Sequence, residues 1–186
     1  FRLEVSMLAR LQRGLVALKS QGWLTSLEGW QTLDINYHPP RVERLWRPFE
    51  DGRIFLHVIH PCTREEALLH PHTWPSGILV LDGRYGMIVG AGSSDQVPPI
   101  VLETMVNASP VSNYRYAMEH PDGWHAVIPS AGPVWSVMVT GSVWNCVIPE
   151  VTAQVHGTLP PLGTRRSQVI LNGFRLRLTM HRHATQ

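Results

Sequence analysis

The stretch Gly77–Gly90, GILVLDGRYGMIVG, contains two apolar runs, Ile78–Leu81 and Tyr85–Val89, on either side of Asp82 and Gly83. An Asp-Gly pair between two apolar runs is a strong signal for a β-hairpin, because both residues accept the backbone angles of a tight turn. The stretch therefore predicts two antiparallel strands joined at Asp82-Gly83.

Further short apolar runs surround this stretch at intervals of roughly ten residues. We expect two of them, Ala126–Ile128 and Val134–Thr140, to form a second hairpin, with Pro129–Pro133 as its turn. Short strands at such spacing indicate an all-β sandwich or barrel. The runs are Arg53–His60, Ile100–Val106, Asn113–Met118, Ala126–Ile128 and Val134–Thr140.

The segment before residue 51 is expected to cover the barrel formed by residues 51–148. Within residues 1–20, apolar side chains recur at helical spacing and predict one amphipathic helix. Residues 22–50 are rich in Trp and in turn-forming residues, which indicates a second short helix or an extended covering segment. The helical positions are Val5, Leu8, Leu11, Leu15 and Leu18.

Residues 149–186 are expected to add strands that complete or cover the barrel. They contain the apolar run Val151–His156 and, after Pro160-Pro161, the segment Gln168–Thr179. Arg175 and Arg177 alternate with leucines in that segment, which is typical of a half-exposed strand.

Composition restricts the possible partners of the chain. The 186 residues carry a net charge of +2, with 44% hydrophobic and 16% charged residues. This charge is too small to indicate a nucleic-acid interface, and no apolar run is long enough to span a membrane. The two cysteines do not form a disulfide framework, so we expect a reduced, cytoplasmic protein.

Histidines carry the main chemical signal. His70 and His72 are two residues apart, so on a strand their side chains leave the same face. Two imidazoles that point into one cavity begin a metal site, and His125, after a turn at the head of a strand, can supply the third ligand. His120 is an alternative third ligand. His57 and His60 are structural residues, a spare ligand or a pocket base, and we interpret His181 and His183 as tail residues.

These histidines occur in two motifs that resemble those of the cupin superfamily. The first cupin motif is H-x-H, three or four residues, Glu, six residues and Gly. This sequence has His70-Pro71-His72, three residues, Ser76, six residues and Gly83. The motif therefore matches in spacing and has Ser76 in place of the glutamate.

The second cupin motif is P-x-G, two residues, His, three residues and Asn. This sequence has Pro121-Asp-Gly123, one residue, His125, three residues and Pro129. The run Gly132–Gly141 is also similar to that of small single-domain bacterial cupins. The resemblance implies a double-stranded β-helix (cupin) barrel with an N-terminal helical extension, in which His70, His72 and His125 bind one metal ion.

The missing glutamate implies a site of three neutral imidazoles, which is similar to the thiol dioxygenase branch of the cupins. That branch also has a Ser-His-Tyr triad, whereas the strand after His125 reads Ser136-Val-Met-Val-Thr140, without His or Tyr. Ser76 is expected to hydrogen-bond a metal-bound water or substrate, or else only to fill space. A dication on three neutral ligands favours an anionic co-ligand.

Several further side chains are expected around the metal. Tyr114 and Tyr116 share one strand face and Arg115 takes the other, so either the tyrosines are pocket acids or Arg115 binds a substrate carboxylate. Arg84 is a second candidate for binding an anionic group. Three aromatic side chains are expected to form the walls of a substrate cavity, namely Trp74, Trp124 and Trp135.

The function that this sequence favours is that of a non-haem Fe(II) dioxygenase, which acts on a small anionic organic substrate with O2. One alternative is non-redox isomerase, epimerase or lyase chemistry with Zn, Mn or Ni, and another is a non-catalytic ligand-binding cupin. The N-terminal apolar elements could cover a barrel edge or a second copy, so we also expect a homodimer.

Overall fold

The computed structural model of the chain describes residues 6–92, 100–109, 112, 114–145 and 159–183. These residues form a mainly β structure with one helix near each end. The elements are α1 (Met7–Ser20), β1 (Gln31–Ile35), β2 (Val42–Phe49), β3 (Gly52–Ile59), β4 (His70–Pro71), β5 (Ser76–Ala91), β6 (Ile100–Ala108), β7 (Tyr114–Met118), β8 (Gly123–Pro129), β9 (Val134–Thr140) and α2 (Thr164–His183).

The strands form one curled antiparallel half-barrel. Its order is β1-β2-β3-β9-β5-β8-β4, and β6 and β7 also pair with β5. The first half of β5, Ser76–Asp82, lies between β7 and β9, whereas the second half, Tyr85–Ala91, lies between β6 and β8. The predicted all-β barrel class with an N-terminal helix is thus confirmed.

Both predicted hairpins are wrong, because Asp82 and Gly83 lie inside β5 and do not reverse the chain. Gly83 has a φ of +113°, and the pairing with β9 shifts register between Val80 and Asp82. A positive φ inside a strand bends it at a bulge, which lets β5 pass from one set of neighbours to the other. Likewise β8 and β9 each pair with β5 and not with one another.

The strands separate two apolar layers by simple alternation. On β3, the side chains of Ile54, Leu56 and Val58 belong to the core that includes both helices, whereas Phe55 belongs to the core inside the half-barrel. Because both faces of β3 are covered, this strand is apolar from Ile54 to Ile59 except for His57. The same alternation places every second residue of β2, β3 and β9 toward the interior cavity.

The segment Gln168–Thr179 is helical, so the predicted strand there is wrong. The buried side chains of α2 follow a spacing of three and four residues, which is the period of a helix and not of a strand. His181 is buried too and is therefore no tail residue. The expected run Val151–His156 lies outside the described residues. The buried set is Ser167, Ile170, Leu171, Phe174, Leu178 and His181.

The Trp-rich segment after α1 is extended and not a second helix. Instead of covering the sheet as expected, its strands β1 and β2 form part of it. The helix α1 packs directly on β5, where Gly77 leaves room: a Cβ at this position would lie 2.4 Å from the carbonyl oxygen of Met7. Neither of the two helices described is long and apolar enough to cross a membrane.

A buried carboxylate joins α2 to the sheet. Glu43 of β2 is only 2% exposed, and its Oε1 accepts a 2.7 Å hydrogen bond from Nε of Arg166. Its Oε2 lies 2.7 Å from Nε2 of His60. Burial raises the pKa of Glu43, but the hydrogen bonds and charges of Arg166 and His60 outweigh it and leave the pKa lowered.

We expect Glu43→Gln to lower the free energy of unfolding by about 1–3 kcal/mol, because it removes the charge that Arg166, His60 and Arg41 contact. The ordinary pKa of this carboxyl is 4.5, and the folded pKa is lower, so the difference from wild type is present above pH 4.5 and shrinks as the pH falls further. Urea unfolding at several pH values measures this difference. The control is Glu65→Gln, the same change at an exposed position; an equal effect of both variants would contradict the role of Glu43.

Candidate metal centre

The pairing of β4 with β8 brings two of the predicted ligands together. His70 and His125 are opposite one another in this antiparallel pair, and His72 follows directly after β4. One ring nitrogen from each of the three histidines lies within 4.8 Å of the others. The structure therefore forms the three-histidine cluster that the sequence predicts.

The distances between the ring nitrogens suit a small divalent ion. Nε2 of His72 lies 3.0 Å from Nε2 of His125. Two nitrogens that each lie about 2.1 Å from one metal are separated by about 3.0 Å at a right angle and about 3.4 Å in a tetrahedron. The His72–His125 pair thus has the separation of two ligands on one ion, and a ring nitrogen of His70 lies within 4.8 Å of the other ligand nitrogens.

Two of the imidazoles are oriented by a hydrogen bond at their Nδ1 atom. Nδ1 of His70 lies 3.0 Å from the carbonyl oxygen of Leu68. Because a carbonyl oxygen can only accept, Nδ1 is the donor of this hydrogen bond, and Nε2 of the neutral ring carries no proton. Nδ1 of His72 lies 2.8 Å from Oγ of Ser76. Such partners fix the tautomer of metal-binding histidines and direct the other nitrogen toward the ion. Nδ1 of His125 is buried without a partner among the described residues.

Ser76 therefore has a more specific position than the sequence indicated. It is fully buried at the start of β5, and its hydroxyl contacts the His72 ring. It occupies the motif position of a carboxylate ligand, but it acts on the cluster through His72.

The three imidazoles are neutral at physiological pH. Burial lowers the pKa of His72 to about 3, and the charges of His70 and Arg44 act in the same direction. Burial likewise lowers the pKa of His70 and, more strongly, that of His125. Neutral imidazole is the form that binds metals, so the lone pairs are available without loss of a proton.

The cluster borders a cavity of about 350 Å³ between the sheet and the segments before β2 and β5. Its lining is mainly apolar, and within the described part of the chain it includes no Asp or Glu. Its polar side chains are the three histidines together with Tyr37, His38, Arg44, His57, Thr73, Tyr116 and Ser136. A mainly apolar surface with convergent polar groups is the usual form of a small-molecule site.

Arg44 is the functional candidate that sequence reasoning missed. It lies opposite His57 in the pairing of β2 with β3, and its Nε donates a 2.9 Å hydrogen bond to Nε2 of His57. Both side chains line the cavity, so His57 is a cavity residue and not a remote structural histidine. The available signal was alternation along β2, but a charged residue on a strand usually indicates a solvent-exposed face.

Tyr116 and Trp74 line the cavity as expected. The Tyr116 ring lies 6.4 Å from that of His125, and its hydroxyl shares a hydrogen bond with Tyr85. Trp74 stacks on Phe55 with ring centroids 6.4 Å apart. Tyr114 lies next to Tyr116, at 6.1 Å between the ring centres, but does not line the cavity.

The two arginines predicted near the metal lie elsewhere. Arg115 is on the face opposite to Tyr116, where its Nη1 donates a 2.8 Å hydrogen bond to Oε1 of Gln12 on α1. Arg84 is exposed and lines a separate surface groove beside Asn107 and Gly132. Strand alternation separates Arg115 from the cavity, and the bend at Gly83 separates Arg84 from it.

Two of the predicted wall tryptophans also face away from the cavity. Trp135 shares the helix-facing side of β9, where its ring contacts Phe174 and lies 3.9 Å from the Arg177 guanidinium carbon. Trp124 is adjacent to His125 on β8, so its side chain leaves the other face of the strand. The alternative ligand His120 is exposed and is not among the three clustered histidines, whereas His60 contacts Glu43.

The sequence matches no family and no curated protein in comparisons with known proteins. Among solved structures, it is similar to hydroxypropylphosphonic acid epoxidase from S. wedmorenis, with 12% identity, a TM-score of 0.47 and coverage of 62% of this chain and 56% of that one. The Fe(II) form of HppE has 13% identity and a TM-score of 0.45, with coverage of 62% of this chain and 57% of that one. CapF with the inhibitor 3-isopropenyl-tropolone has 10% identity and a TM-score of 0.46, with coverage of 77% of this chain and 47% of that one.

The chain thus spans about half the length of these solved structures. At such identities and TM-scores the similarity is partial. We therefore derive the chemistry of the site from the chain's own side chains.

Replacing any one of the three clustered histidines by alanine, in His70→Ala, His72→Ala or His125→Ala, should abolish stoichiometric binding of a divalent metal, because two imidazoles without a carboxylate leave too few ligands. Metal content after dialysis, measured by mass spectrometry, checks this expectation. His120→Ala is the control and should keep the wild-type content. Full metal content in His125→Ala would show that the cluster is not the metal site.

Ser76→Ala should weaken metal binding about 10- to 100-fold, since it removes the hydrogen bond that orients His72. Competition with a coloured chelator measures the affinity. Ser136→Ala is the matched control, because Ser136 is another buried serine, which lines the cavity but makes no hydrogen bond to the cluster in the described structure. If both variants bind metal equally well, Ser76 does not position His72.

Proposed function

We propose that the chain is a metal-dependent enzyme of the cupin type, in which His70, His72 and His125 hold one divalent ion. The observation that carries this proposal is the convergence of three neutral imidazoles at one end of a mainly apolar cavity. A purely structural cluster would have no reason to border a cavity of substrate size, and the hydrogen bonds to Leu68 and Ser76 resemble those of metal-binding histidines.

The reaction that we propose is oxidation of a small anionic organic molecule by O2, with Fe(II) as the ion. Iron held by three protein ligands would supply the redox chemistry and would keep coordination positions open. An anionic substrate agrees with the charge of the site, because a dication on neutral ligands has no other compensating charge in the described lining.

The chain's own residues would bind the substrate and exclude water. Trp74 and the aliphatic side chains of the lining provide an apolar surface for the body of the substrate. Burial raises the pKa of Tyr116, and the hydrogen bond from Tyr85 only partly offsets it. The Tyr116 hydroxyl therefore keeps its proton at neutral pH and acts as a hydrogen-bond donor to the substrate and not as a base.

The test is metal analysis of protein purified without a chelating tag, followed by oxygen-uptake assays with the iron-loaded protein and a panel of small carboxylates, phenolates and thiolates. We expect one iron per chain and oxygen uptake that depends on one class of anion. His72→Ala is the control for adventitious iron and should show neither.

Turnover under nitrogen with Zn, Mn or Ni would overturn the redox assignment and support isomerase, epimerase or lyase chemistry at the same site. Absence of any metal from wild-type protein under all loading conditions would overturn the enzyme proposal as a whole.

A further inference from the structure

We propose that Arg44, held in place by His57, binds the oxyanion group of the ligand in the cavity beside the three histidines. This inference deepens the proposed function and rests on it only where the ligand is called a substrate. The ligand class is a small organic acid, either a carboxylate or a phosphonate, with an apolar body.

The position of the Arg44 guanidinium is well defined. Its Nε donates to His57 across the β2–β3 pair at 2.9 Å, and its central carbon lies 5.0 Å from the centre of the Phe55 ring. Because the Nε–H donates, His57 accepts with an unprotonated Nε2 and adds no positive charge. Nη1 and Nη2 have no hydrogen-bond partner among the described residues, so the paired donors of the fork remain available.

Arg44 also lacks a counter-charge. Within the described structure no acidic side chain lines the cavity or forms an ion pair with it. The neighbouring carboxylate, Glu43, leaves the other face of β2 and is already bound by Arg166 and His60. Burial lowers the pKa of Arg44 to about 10, so the group stays charged at neutral pH. A charge that is largely removed from water is normally paired, and an anionic ligand would provide the partner.

The surroundings define the rest of the ligand. A guanidinium fork matches the two oxygens of a carboxylate or phosphonate better than a neutral amide, because it makes two parallel charge-assisted hydrogen bonds. The lining beside it is apolar, with Ile59, Ile78 and Met138 among its members, and the cavity of about 350 Å³ accommodates a single small ring. Benzoate, phenylphosphonate and benzamide are therefore probes of suitable size that differ mainly in the charged group.

The experiment measures binding of these three probes by isothermal titration, in metal-free and in zinc-loaded protein. The metal-free arm isolates Arg44, because neutral imidazoles offer an anion no opposite charge. The variants are Arg44→Met, which keeps an unbranched apolar stem and removes the guanidinium, and Arg44→Lys, which keeps a charge and loses the fork. Arg84→Met is the control, since Arg84 is an exposed arginine on β5 that lines the separate surface groove and not the cavity.

We expect metal-free wild type to bind at least one of the two acids more tightly than benzamide by about tenfold or more. The more tightly bound acid identifies the oxyanion. Arg44→Met should remove this preference, Arg44→Lys should retain only part of it, and Arg84→Met should keep it. The preferred acid should also raise the thermal midpoint of wild type and not that of Arg44→Met.

Equal affinity of wild type for benzamide and both acids would overturn the inference, as would an unchanged preference in Arg44→Met or an equal loss in Arg84→Met. The wild-type comparison decides the matter even if Arg44→Met does not fold. A protein that binds no metal but still discriminates through Arg44 would reject the proposed enzyme and keep this subsite. A protein that binds metal but does not discriminate through Arg44 would reject this subsite and leave the proposed enzyme standing.

Discussion

The structure depends on one strand that pairs with four others. β5 lies between β7 and β9 in its first half and between β6 and β8 in its second, and the bend at Gly83 separates the halves. This strand also positions two members of the three-histidine cluster. Ser76 at its start contacts the His72 ring, and Val89 near its end is the register partner of His125. A shift in the register of β5 would therefore change the sheet and the cluster together.

Strand alternation gives each side of the sheet its own chemistry. On β2, Glu43 points to α2 and binds Arg166, whereas the next residue, Arg44, lines the cavity. On β9, Trp135 packs against α2 and Ser136 lines the cavity. The helix α2 therefore does more than cover apolar surface, because its Arg166 also binds the buried carboxylate of Glu43 on the side of the sheet away from the cavity.

The charge balance of the cavity follows from this separation. Acidic groups near the site are bound on the helix side, and the cavity contains neutral imidazoles and one guanidinium among its described residues. With a divalent ion added, its net charge would be strongly positive in a mainly apolar environment, where electrostatic attraction is stronger than in water. Such a cavity would favour an anion over a neutral molecule of the same shape, and the proposed anion would contact both the histidine cluster and the Arg44–His57 pair.

The sequence by itself predicted the parts of this protein that depend on local spacing. The proximity of His70 and His72, the turn before His125 and the helix within residues 1–20 all reappear in the structure, because each depends on one short segment. Of the apolar positions predicted for that helix, Leu11, Leu15 and Leu18 are buried, Leu8 is 40% exposed and Val5 lies outside the described residues. The helix α2 was predictable in principle, since the spacing from Ile170 to His181 is helical, but the local alternation of Arg and Leu in its last part obscured it.

Tertiary structure decided the features that depend on which segments pair and on which face is covered. An Asp-Gly pair closes a hairpin when the strands on either side pair with one another, whereas here β9 and β8 pair with them instead, so Asp82-Gly83 bends a single strand. Arg115 and Tyr116 are neighbours in sequence, and only the position of α1 determines that Tyr116 is the one in the cavity. Arg44 enters the site because β2 joins the sheet next to β3, opposite His57. The sequence specifies which residues share a strand face, but the face that borders the cavity is set by long-range packing.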